Sequence, residues 1–326
     1  MKVASYHIPA LLQETIDGLQ LKPGGVYADV TFGGGGHSRE ILRRLGENGK
    51  LYSFDQDIEA YHNIANIPAE DETTDLISGK RWQFVHGNFR YISNYLRFYG
   101  EEHIDGILAD LGVSFHHFDT AQRGFSFRFA GPLDMRMNQT AKLTAEDIVN
   151  HYTEENLAHV LYIYGEMNNS RQIAKRICRS RETRRIQTTE ELVGCVTGRQ
   201  EVVVNGEIQV DSRDKKDLAR LFQALRIEVN DEIGALRELL TASTDLLKEG
   251  GRIAILTYHS LEDRMVKNFL RSGNIEGVIE KDFYGNVISP FRLINNKVIT
   301  ASAEEVERNP RARSAKLRVA ERCFNV

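Results

Sequence analysis

Cysteine is scarce in this sequence, and its few copies lie far apart. Cys178, Cys195 and Cys323 form no C-x-x-C pair, and their number is odd. Zinc sites and disulfide frameworks need cysteines in closely spaced or even sets. The cysteine pattern therefore argues against both, and we expect a protein of the reducing cytoplasm.

Long apolar runs are also missing. No segment approaches the roughly 18 consecutive apolar residues that a membrane-spanning helix requires. The apolar start at residues 8–12 contains Pro9 and is followed by Gln13 and Glu14, which is unlike the apolar segment of a signal peptide. We expect a protein that is neither exported nor membrane-spanning.

The chain has no excess of basic charge. With 42 lysines and arginines against 46 acidic residues, its formal net charge is −4. The whole molecule is therefore not a general polyanion binder, and any contact with nucleic acid must come from local basic patches. The length of 326 residues indicates about two domains.

One prominent feature is an apolar run that ends in four consecutive glycines, residues 26–38 (VYADVTFGGGGHS). Its first part predicts a buried strand, and residues 37–45 predict a helix with apolar side chains on one face. Glycines at such a junction allow positive φ and close approach of a ligand, and the free N–H groups of the first helical turn point toward it. This pattern predicts a site for a nucleotide-like molecule; the alternative is a purely structural glycine turn.

Two observations narrow the nature of that molecule. The G-x-G-x-x-G fingerprint of dinucleotide sites is not met, because its third glycine would fall on Ser38 or Arg39. Asp55 ends the second apolar run, where an acceptor for ribose hydroxyls is expected. With Asp29 before the glycines, the pattern suits an adenosine without phosphate that carries a cation, such as the sulfonium of S-adenosylmethionine.

Strand and helix patterns alternate through the N-terminal part of the chain. Strands are predicted at residues 26–30, 50–55, 81–86 and 103–110. The alternation predicts a parallel sheet whose ligand lies at the carboxyl ends of the strands. Asp29, Asp55 and Asp110 all fall at these ends.

The pattern changes after residue 114, where helix starts replace strands. We predict an inserted, mainly helical domain at residues 115–216, so that the sheet domain comprises residues 1–114 and 217–326. Capping sequences are predicted at residues 144–147, 153–156 and 188–191. Further predictions are a β-hairpin at residues 202–210, one long helix at residues 217–247 and a fifth strand at residues 252–257.

Several longer strings occur in order along the chain. They are DVTFGGGGHS at 29–38, DLGVS at 110–114, RGFSF at 123–127, GPLDMRM at 131–137, YHSLEDR at 258–264 and NPRARSAKLRVAER at 309–322. Together they resemble the ribosomal RNA small subunit methyltransferase H family, the MraW-type cytosine-N4 methyltransferases, and the resemblance runs from His7 to Arg322.

The resemblance implies a fold, a reaction and a partner. The implied fold is α/β, a class I Rossmann-like S-adenosylmethionine-dependent methyltransferase fold with an inserted mainly helical domain. The implied reaction is N4-methylation of a cytosine in small-subunit (16S) ribosomal RNA near the decoding centre. The partner is then that RNA, either free or in an assembled small-subunit particle. The oligomeric state stays open, a homodimer included.

Carried over motif by motif, the resemblance also assigns the residues that bind S-adenosylmethionine. They are Gly34, Gly35, Gly36, His37, Asp55, Phe89 and Asp110. Where family members commonly have the glutamine of S-S-P-Q, this chain has His117, which can still form a hydrogen bond to the cofactor. His116 and His117 lie beside Asp119, but no further ligand spacing supports a metal site, and we expect no metal.

Asp110 is the first candidate for catalysis. The cytosine amine is a weak nucleophile, so an enzyme must hold it in line with the methyl group and accept one of its hydrogens. Asp110 ends the fourth strand, where DNA amino-methyltransferases place a D/S/N-P-P-[YFW] sequence, and the alternative for it is a cofactor contact without a proton role. Asp119 and His259 are the next candidates. The missing prolines and aromatic weaken a DNA-enzyme interpretation.

Two basic segments are candidate RNA contacts. Residues 171–185 (RQIAKRICRSRETRR) contain seven basic residues and one acid, and the resemblance to an RNA-modifying family favours phosphate contacts there over a solvated helix face. The residues assigned to RNA are Arg176, Arg179, Arg184, Arg311 and Arg313. The remaining alternative function is an RNA-binding assembly factor that keeps the fold without catalysis; the intact glycine loop, Asp55 and Asp110 favour the enzyme.

Overall fold

The computed structural model describes residues 9–65, 81–113, 118, 120–199, 202–295 and 297–324. Of residues 63–65, 202 and 311, it describes the backbone alone. The chain forms two compact units: unit 1 is Met1–Gly112 with Ile233–Val326, and unit 2 is Val113–Glu232.

The secondary structure elements are numbered here in chain order. The strands are β1 (Val26–Asp29), β2 (Lys50–Asp55), β3 (Trp82–His86), β4 (Ile104–Asp110), β5 (Val202–Val204), β6 (Glu207–Gln209), β7 (Leu247–Thr257), β8 (Phe291–Leu293), β9 (Ile299–Thr300) and β10 (Lys316–Arg322). The helices are α1 (Leu12–Leu19), α2 (Gly36–Arg44), α3 (Ile58–Ala65), α4 (Ile92–Phe98), α5 (Ala145–His151), α6 (Glu154–Ile163), α7 (Ser170–Thr183), α8 (Thr189–Thr197), α9 (Lys215–Asn230), α10 (Glu232–Leu246), α11 (Ser260–Ser272) and α12 (Ala303–Arg308). Among the described residues, no helix has the length and apolar character needed to cross a bilayer.

Unit 1 is built on one mostly parallel sheet. Its strand order is β3-β2-β1-β4-β7-β10-β8, with β9 paired to β10. Strands β1, β2, β3, β4 and β7 are parallel to their neighbours in this group, and β10 is antiparallel to β7, β8 and β9. The strand order reverses between β1 and β4, which is where ligands bind in open α/β sheets. This is the predicted α/β, class I Rossmann-like methyltransferase fold.

Alternating side chains of the sheet pack on opposite faces. Ala28 and Ile107 belong to one core, which helices α4, α10 and α11 cover. Tyr27 and Leu108, one residue away in each strand, belong to the other core, which α1 and α2 cover. Because both faces are buried, most side chains of the central strands are apolar, and the acids Asp29, Asp55 and Asp110 are the last residues of β1, β2 and β4.

Unit 2 contains helices α5 to α9 around its own apolar core. The predicted helix starts are confirmed: Thr144 and Thr188 form reciprocal capping boxes, and the side chain of Thr153 accepts a hydrogen bond from the backbone N–H of Asn156. The predicted hairpin is also confirmed, since β5 and β6 are joined by Asn205 and Gly206, both with positive φ.

The prediction of one long helix at residues 217–247 is wrong. Helices α9 and α10 are separated at Asp231, whose φ is +46°. The side chain of Asn230 accepts a hydrogen bond from the N–H of Met137 (2.8 Å) and donates one to the carbonyl of Met135 (2.8 Å). These contacts hold the end of α9, and the apolar periodicity that continues beyond it conceals the break.

The chain returns to unit 1 at Ile233, whereas the sequence placed this return at residue 217. Helix α9 accounts for the difference, because it packs on α5 and α6 and its Leu221 and Leu225 are buried in the core of unit 2.

Two of the motif strings meet inside unit 2. Gly124 of RGFSF has φ +69°, and a Cβ there would lie 2.2 Å from the carbonyl oxygen of Pro132 in GPLDMRM. The buried guanidinium of Arg123 donates to the carbonyls of Arg136 (2.9 Å) and Met137 (3.2 Å). Backbone packing and a buried cation therefore account for these residues of the two strings.

Removing one cap tests the helix starts. Thr144 accepts a hydrogen bond from the N–H of Asp147 (3.1 Å), and the Asp147 carboxylate accepts from the N–H of Thr144 (3.1 Å). The substitution Thr144→Ala should lower the free energy of unfolding by about 1 kcal/mol, because the N–H of Asp147 loses its acceptor. Urea unfolding of the full chain measures this. Thr140→Ala, at an exposed position before α5, is the control, and equal midpoints for both variants would contradict the capping role.

Candidate active site

The glycine turn between β1 and α2 has one open side. A Cβ on Gly35, which has φ +74°, would lie 2.7 Å from the ring of Phe32, and a Cβ on Gly36 would lie 2.3 Å from Pro9. A Cβ on Gly34 would meet no atom within 4 Å. Packing within unit 1 thus requires glycine at Gly35 and Gly36, and Gly34 faces open space.

Asp55 lies at the end of β2 and holds this turn. Its Oδ2 accepts a hydrogen bond from the N–H of Gly33 (2.8 Å), and its Oδ1 accepts one from the N–H of Asp57 (2.9 Å). Burial raises the pKa of Asp55 to about 6, although both hydrogen bonds lower it. Each oxygen keeps acceptor capacity for a hydroxyl group. The geometry therefore leaves Asp55 able to accept from a diol.

Asp29, at the end of β1, is fully buried. Its Oδ2 accepts a hydrogen bond from the hydroxyl of Ser38 (2.6 Å), and its Oδ1 accepts one from the N–H of Thr31 (3.2 Å). Ser38 stands where a dinucleotide fingerprint would have its third glycine, and its hydroxyl also bonds Ser53 of β2 (2.7 Å). Asp29 therefore joins β1 to α2 and β2 and is not open to a ligand.

Asp110, at the end of β4, is bonded on one side and partly open. Its backbone N–H donates to the hydroxyl of Thr31 (2.6 Å), and its Oδ1 accepts from the hydroxyl of Tyr258 (2.7 Å). The side chain is 23% exposed. Burial raises the pKa of Asp110 to about 7; the bond from Tyr258 opposes this rise, and the carboxylates of Asp29 and Glu262 add to it.

His37, in the first turn of α2, lies beside Asp110. Its Nδ1 is 3.7 Å from Oδ2 of Asp110. Burial lowers the pKa of His37 to about 4, against the effect of the Ala10 carbonyl, so the ring is neutral at neutral pH. Its Nε2 is buried and has no hydrogen-bond partner within the described part of the chain. The structure thus brings these two predicted site residues together.

Phe89 follows β3 on a short turn that is tied to the end of β2. The N–H of Gly87 donates to the carbonyl of Asp55 (2.9 Å), and the side chain of Asn88 donates to that of Gln56 (2.9 Å). Phe89 is partly buried against one core of unit 1. The structure therefore places Phe89 and Asp55 on neighbouring segments, at the same edge of the sheet.

The residues after β7 differ in part from the expectation. The described contact of His259 is Glu262 (Nε2 to Oε1, 3.0 Å), and it is Tyr258 that bonds Asp110. Tyr258 was not assigned from the sequence, although it follows the strand next to β4 and could have been found by asking which side chains end neighbouring parallel strands. Two further predicted site residues, His117 and Asp119, lie outside the described residues.

The arginines assigned to RNA fall into different classes. Arg176 donates to the carbonyl of Val196 (2.6 Å), and Arg184 forms an ion pair with Glu191 (2.9 Å), so these two bind the protein itself. Arg179 is exposed. Arg313 is exposed in the 3-10 turn Pro310–Ser314. Arg311 lies in the same turn, and the structure describes only its backbone.

Comparison with known proteins decides the family. The profile of the MraW methylase family matches residues 4–323. The protein belongs to the MraW methylase family. The membership expected from the motif strings is therefore confirmed, and with it the methyltransferase fold. This MraW methylase carries its family strings along both units.

Its relatives match along nearly the whole chain. A protein of Parabacteroides distasonis named ribosomal RNA small subunit methyltransferase H is 55% identical, over 98% of this chain and 99% of its own. One of the same name from Phocaeicola vulgatus is also 55% identical, over 97% of each chain. A crystal structure of an rRNA methylase from Streptococcus thermophilus covers 97% of this chain and 99% of that chain, at 12% identity and a TM-score of 0.41.

The raised pKa of Asp110 predicts a pH dependence of stability. Its pKa is about 7 in the folded protein against an ordinary 3.8, so the folded state binds the proton more tightly and loses stability as pH rises toward and through 7. Between about pH 6 and about pH 8, the wild type should lose about 1 kcal/mol more unfolding free energy than Asp110→Asn.

Urea unfolding at the two pH values measures this difference. His37 has the opposite effect, because its lowered pKa makes stability rise with pH, but it is present in both proteins. Asp17→Asn, at a side chain that is 67% exposed, is the control and should behave as the wild type. Parallel pH curves for wild type and Asp110→Asn would show that Asp110 does not retain its proton near neutrality.

Proposed function

We propose that this MraW methylase transfers a methyl group from S-adenosylmethionine to N4 of a cytosine in small-subunit (16S) ribosomal RNA near the decoding centre. The names of its relatives support the RNA and the subunit. The observation that carries the reaction is Asp110, a partly open carboxylate at the end of β4 that Tyr258 orients. The substrate is that RNA, free or in an assembled small-subunit particle.

The residues around the glycine turn fit the cofactor. Gly34 borders open space, the Asp55 oxygens retain acceptor capacity, and the buried Nε2 of His37 lacks a partner among the described residues. Asp55 would accept from the ribose hydroxyls, and Gly34, His37 and Phe89 would line the remaining surface. When bound, S-adenosylmethionine supplies an electrophilic methyl group on a sulfonium.

The task of Asp110 is to accept a hydrogen from the cytosine amine. The lone pair of that amine is conjugated with the ring. Transfer of one proton to the carboxylate leaves the electron pair of the N–H bond on nitrogen, where it is available for bond formation to carbon. The bond from Tyr258 occupies Oδ1 and orients the carboxylate, while Oδ2 remains for the amine. Neutral His37 beside Oδ2 is a weaker competitor for this oxygen than a cationic ring would be.

The arginines proposed from the sequence as RNA contacts differ in whether they are bonded within the protein. Arg179 in unit 2 and Arg313 in unit 1 are exposed cations that suit phosphate groups. Arg176 and Arg184 are bonded within unit 2, and this argues for a structural role in place of the RNA contact expected from the sequence.

Asp55 is tested through cofactor affinity. Asp55→Ala removes the proposed acceptors of both ribose hydroxyls, so affinity for S-adenosylmethionine should fall by about tenfold to a hundredfold. Calorimetric titration measures this. Because Asp55 also holds Gly33, Asp55→Asn is the second variant: it keeps one acceptor oxygen and should lose less. Wild-type affinity in folded Asp55→Ala would remove Asp55 from the cofactor site.

Asp110 is tested through turnover. Asp110→Asn keeps the shape of the side chain but replaces an anionic acceptor by an amide, so methyl transfer should fall by about two to four orders of magnitude with little change in cofactor affinity. Wild-type turnover should rise with pH through about 7, because the carboxylate must be ionised to accept a proton.

Single-turnover transfer to small-subunit particles lacking the methyl group separates chemistry from binding. Mass analysis of the RNA product identifies the methylated base. An Asp110→Asn variant with weakened cofactor binding and normal turnover at saturating cofactor would assign Asp110 to the cofactor alone. The acceptor would then be sought at Asp119 and His259. A wild-type protein that binds RNA without transferring methyl would indicate an assembly factor.

A further inference from the structure

Helix α7 of unit 2 carries a row of exposed cations on one side. Arg171, Lys175 and Arg179 follow one another at intervals of four residues, and all three are exposed. Residues four apart lie one above the other on a helix, with a rise of about 6 Å per step. We refer to these three residues as the α7 row.

The α7 row differs from the other basic residues of the same segment in its lack of partners. Each of the other four binds an acceptor of unit 2: Arg176 the carbonyl of Val196, Arg181 the carbonyl of Val149, Arg184 the carboxylate of Glu191, and Arg185 the carboxylate of Glu146. No hydrogen bond or ion pair joins Arg171, Lys175 or Arg179 to any residue that the structure describes.

The core of unit 2 fixes the direction of the row. Ile173, Ala174, Ile177 and Cys178 of α7 are buried on the face that packs against α6 and α8. The helix therefore cannot rotate to bring the row against the protein without exposing these apolar side chains. Arg171, Lys175 and Arg179 stay directed to the surroundings of unit 2.

The row is also unfavourable for the isolated helix. Like charges four residues apart on a helix repel each other. Within one helical turn of the row, Glu182 is the one acid, three residues after Arg179, and Arg171 and Lys175 have none. A bound polyanion would remove this repulsion and gain from releasing its own counterions.

We propose that the α7 row is a docking surface for the phosphate backbone of the substrate RNA. This inference rests on the proposed function, which makes the polyanion an RNA. The position of the surface is inferred from the three exposed cations that have no bonding partner among the described residues. It keeps Arg179 and puts Arg171 and Lys175 in place of Arg176 and Arg184. Arg176 and Arg184 bind acceptors of the protein, whereas Arg171 and Lys175 bind none that the structure describes. Contacts of this kind position the RNA and are independent of its sequence.

The test removes the row and measures binding against salt. The variant Arg171→Gln, Lys175→Gln, Arg179→Gln is made in the full chain, and the probe is deproteinised small-subunit RNA that lacks the methyl group. Each lost phosphate contact should flatten the slope of log affinity against log salt by about 0.7 to 0.9. We expect a flattening of about two units and at least a tenfold loss of affinity at physiological salt.

A matched control separates the row from general charge. Lys142→Gln, Lys215→Gln, Lys216→Gln makes the same change of charge at three exposed lysines of the same unit. It should change the slope by less than half as much as the row variant. The row variant should also be at least as stable to heat at low salt as the wild type, because repulsion within α7 is relieved.

The outcomes are distinguishable from those that test the function. Equal slopes for the row variant and the control would overturn the docking surface, and so would a row variant whose slope equals that of the wild type. S-adenosylmethionine titration should give wild-type affinity in both variants, and the control variant should keep wild-type methyl transfer. Absence of methyl transfer by the wild type to both the free RNA and the small-subunit particles would overturn the proposed function and leave the slopes to decide the surface.

Discussion

The hydrogen bond from Ser38 to Asp29 joins the end of β1 to the first turn of α2, and the active-site geometry depends on it. Both side chains are buried, and the Asp29 carboxylate has no access to water. Removing Ser38 would take this donor from the Oδ2 of a buried carboxylate, and an unsatisfied buried acceptor costs more than the bond itself contributes. This bond fixes where α2 starts. It therefore fixes the glycine turn and the position of His37 beside Asp110.

Burial and one hydrogen bond together bring the pKa of the Asp110 carboxyl group near neutral pH. Burial raises the pKa of Asp110 to about 7, and the hydroxyl of Tyr258 opposes that rise because it favours the ionised form. A base with a pKa near the working pH is the most effective acceptor, because it is both available and sufficiently basic. The same environment makes the ionised form of Asp110 unfavourable for stability above that pH. The ionised carboxylate that the proposed catalytic role requires therefore lowers the free energy of unfolding.

The cations of unit 2 differ in whether described groups of the protein form hydrogen bonds or ion pairs with them. Arg123 is buried and donates to two carbonyls, and Arg176 and Arg184 are bonded at the surface of neighbouring segments. Arg171 and Lys175 are not bonded to any described residue. A net charge of −4 thus coexists with a local basic row, because the acids that balance the chain lie elsewhere. For RNA binding, the local arrangement of cations matters more than the net charge of the whole chain.

The sequence by itself determined the features that depend on local chemistry. Alternating strand and helix periodicity predicted the parallel sheet, threonine followed by an acid predicted the caps at Thr144 and Thr188, and four glycines before a helix predicted the turn. Its motif strings identified the family, since strings of that length rarely occur together without common descent.

Tertiary structure alone decided the features that depend on distant partners. The helix break at Asp231 is held by contacts between Asn230 and Met135, 95 positions apart. The bond between Tyr258 and Asp110 joins positions 148 apart. Which arginines of α7 are free depends on acceptors contributed by other helices. None of these partners can be recognised from the local sequence pattern. A hydrogen bond requires two groups to be close in space, and folding brings these groups together although they are far apart along the chain.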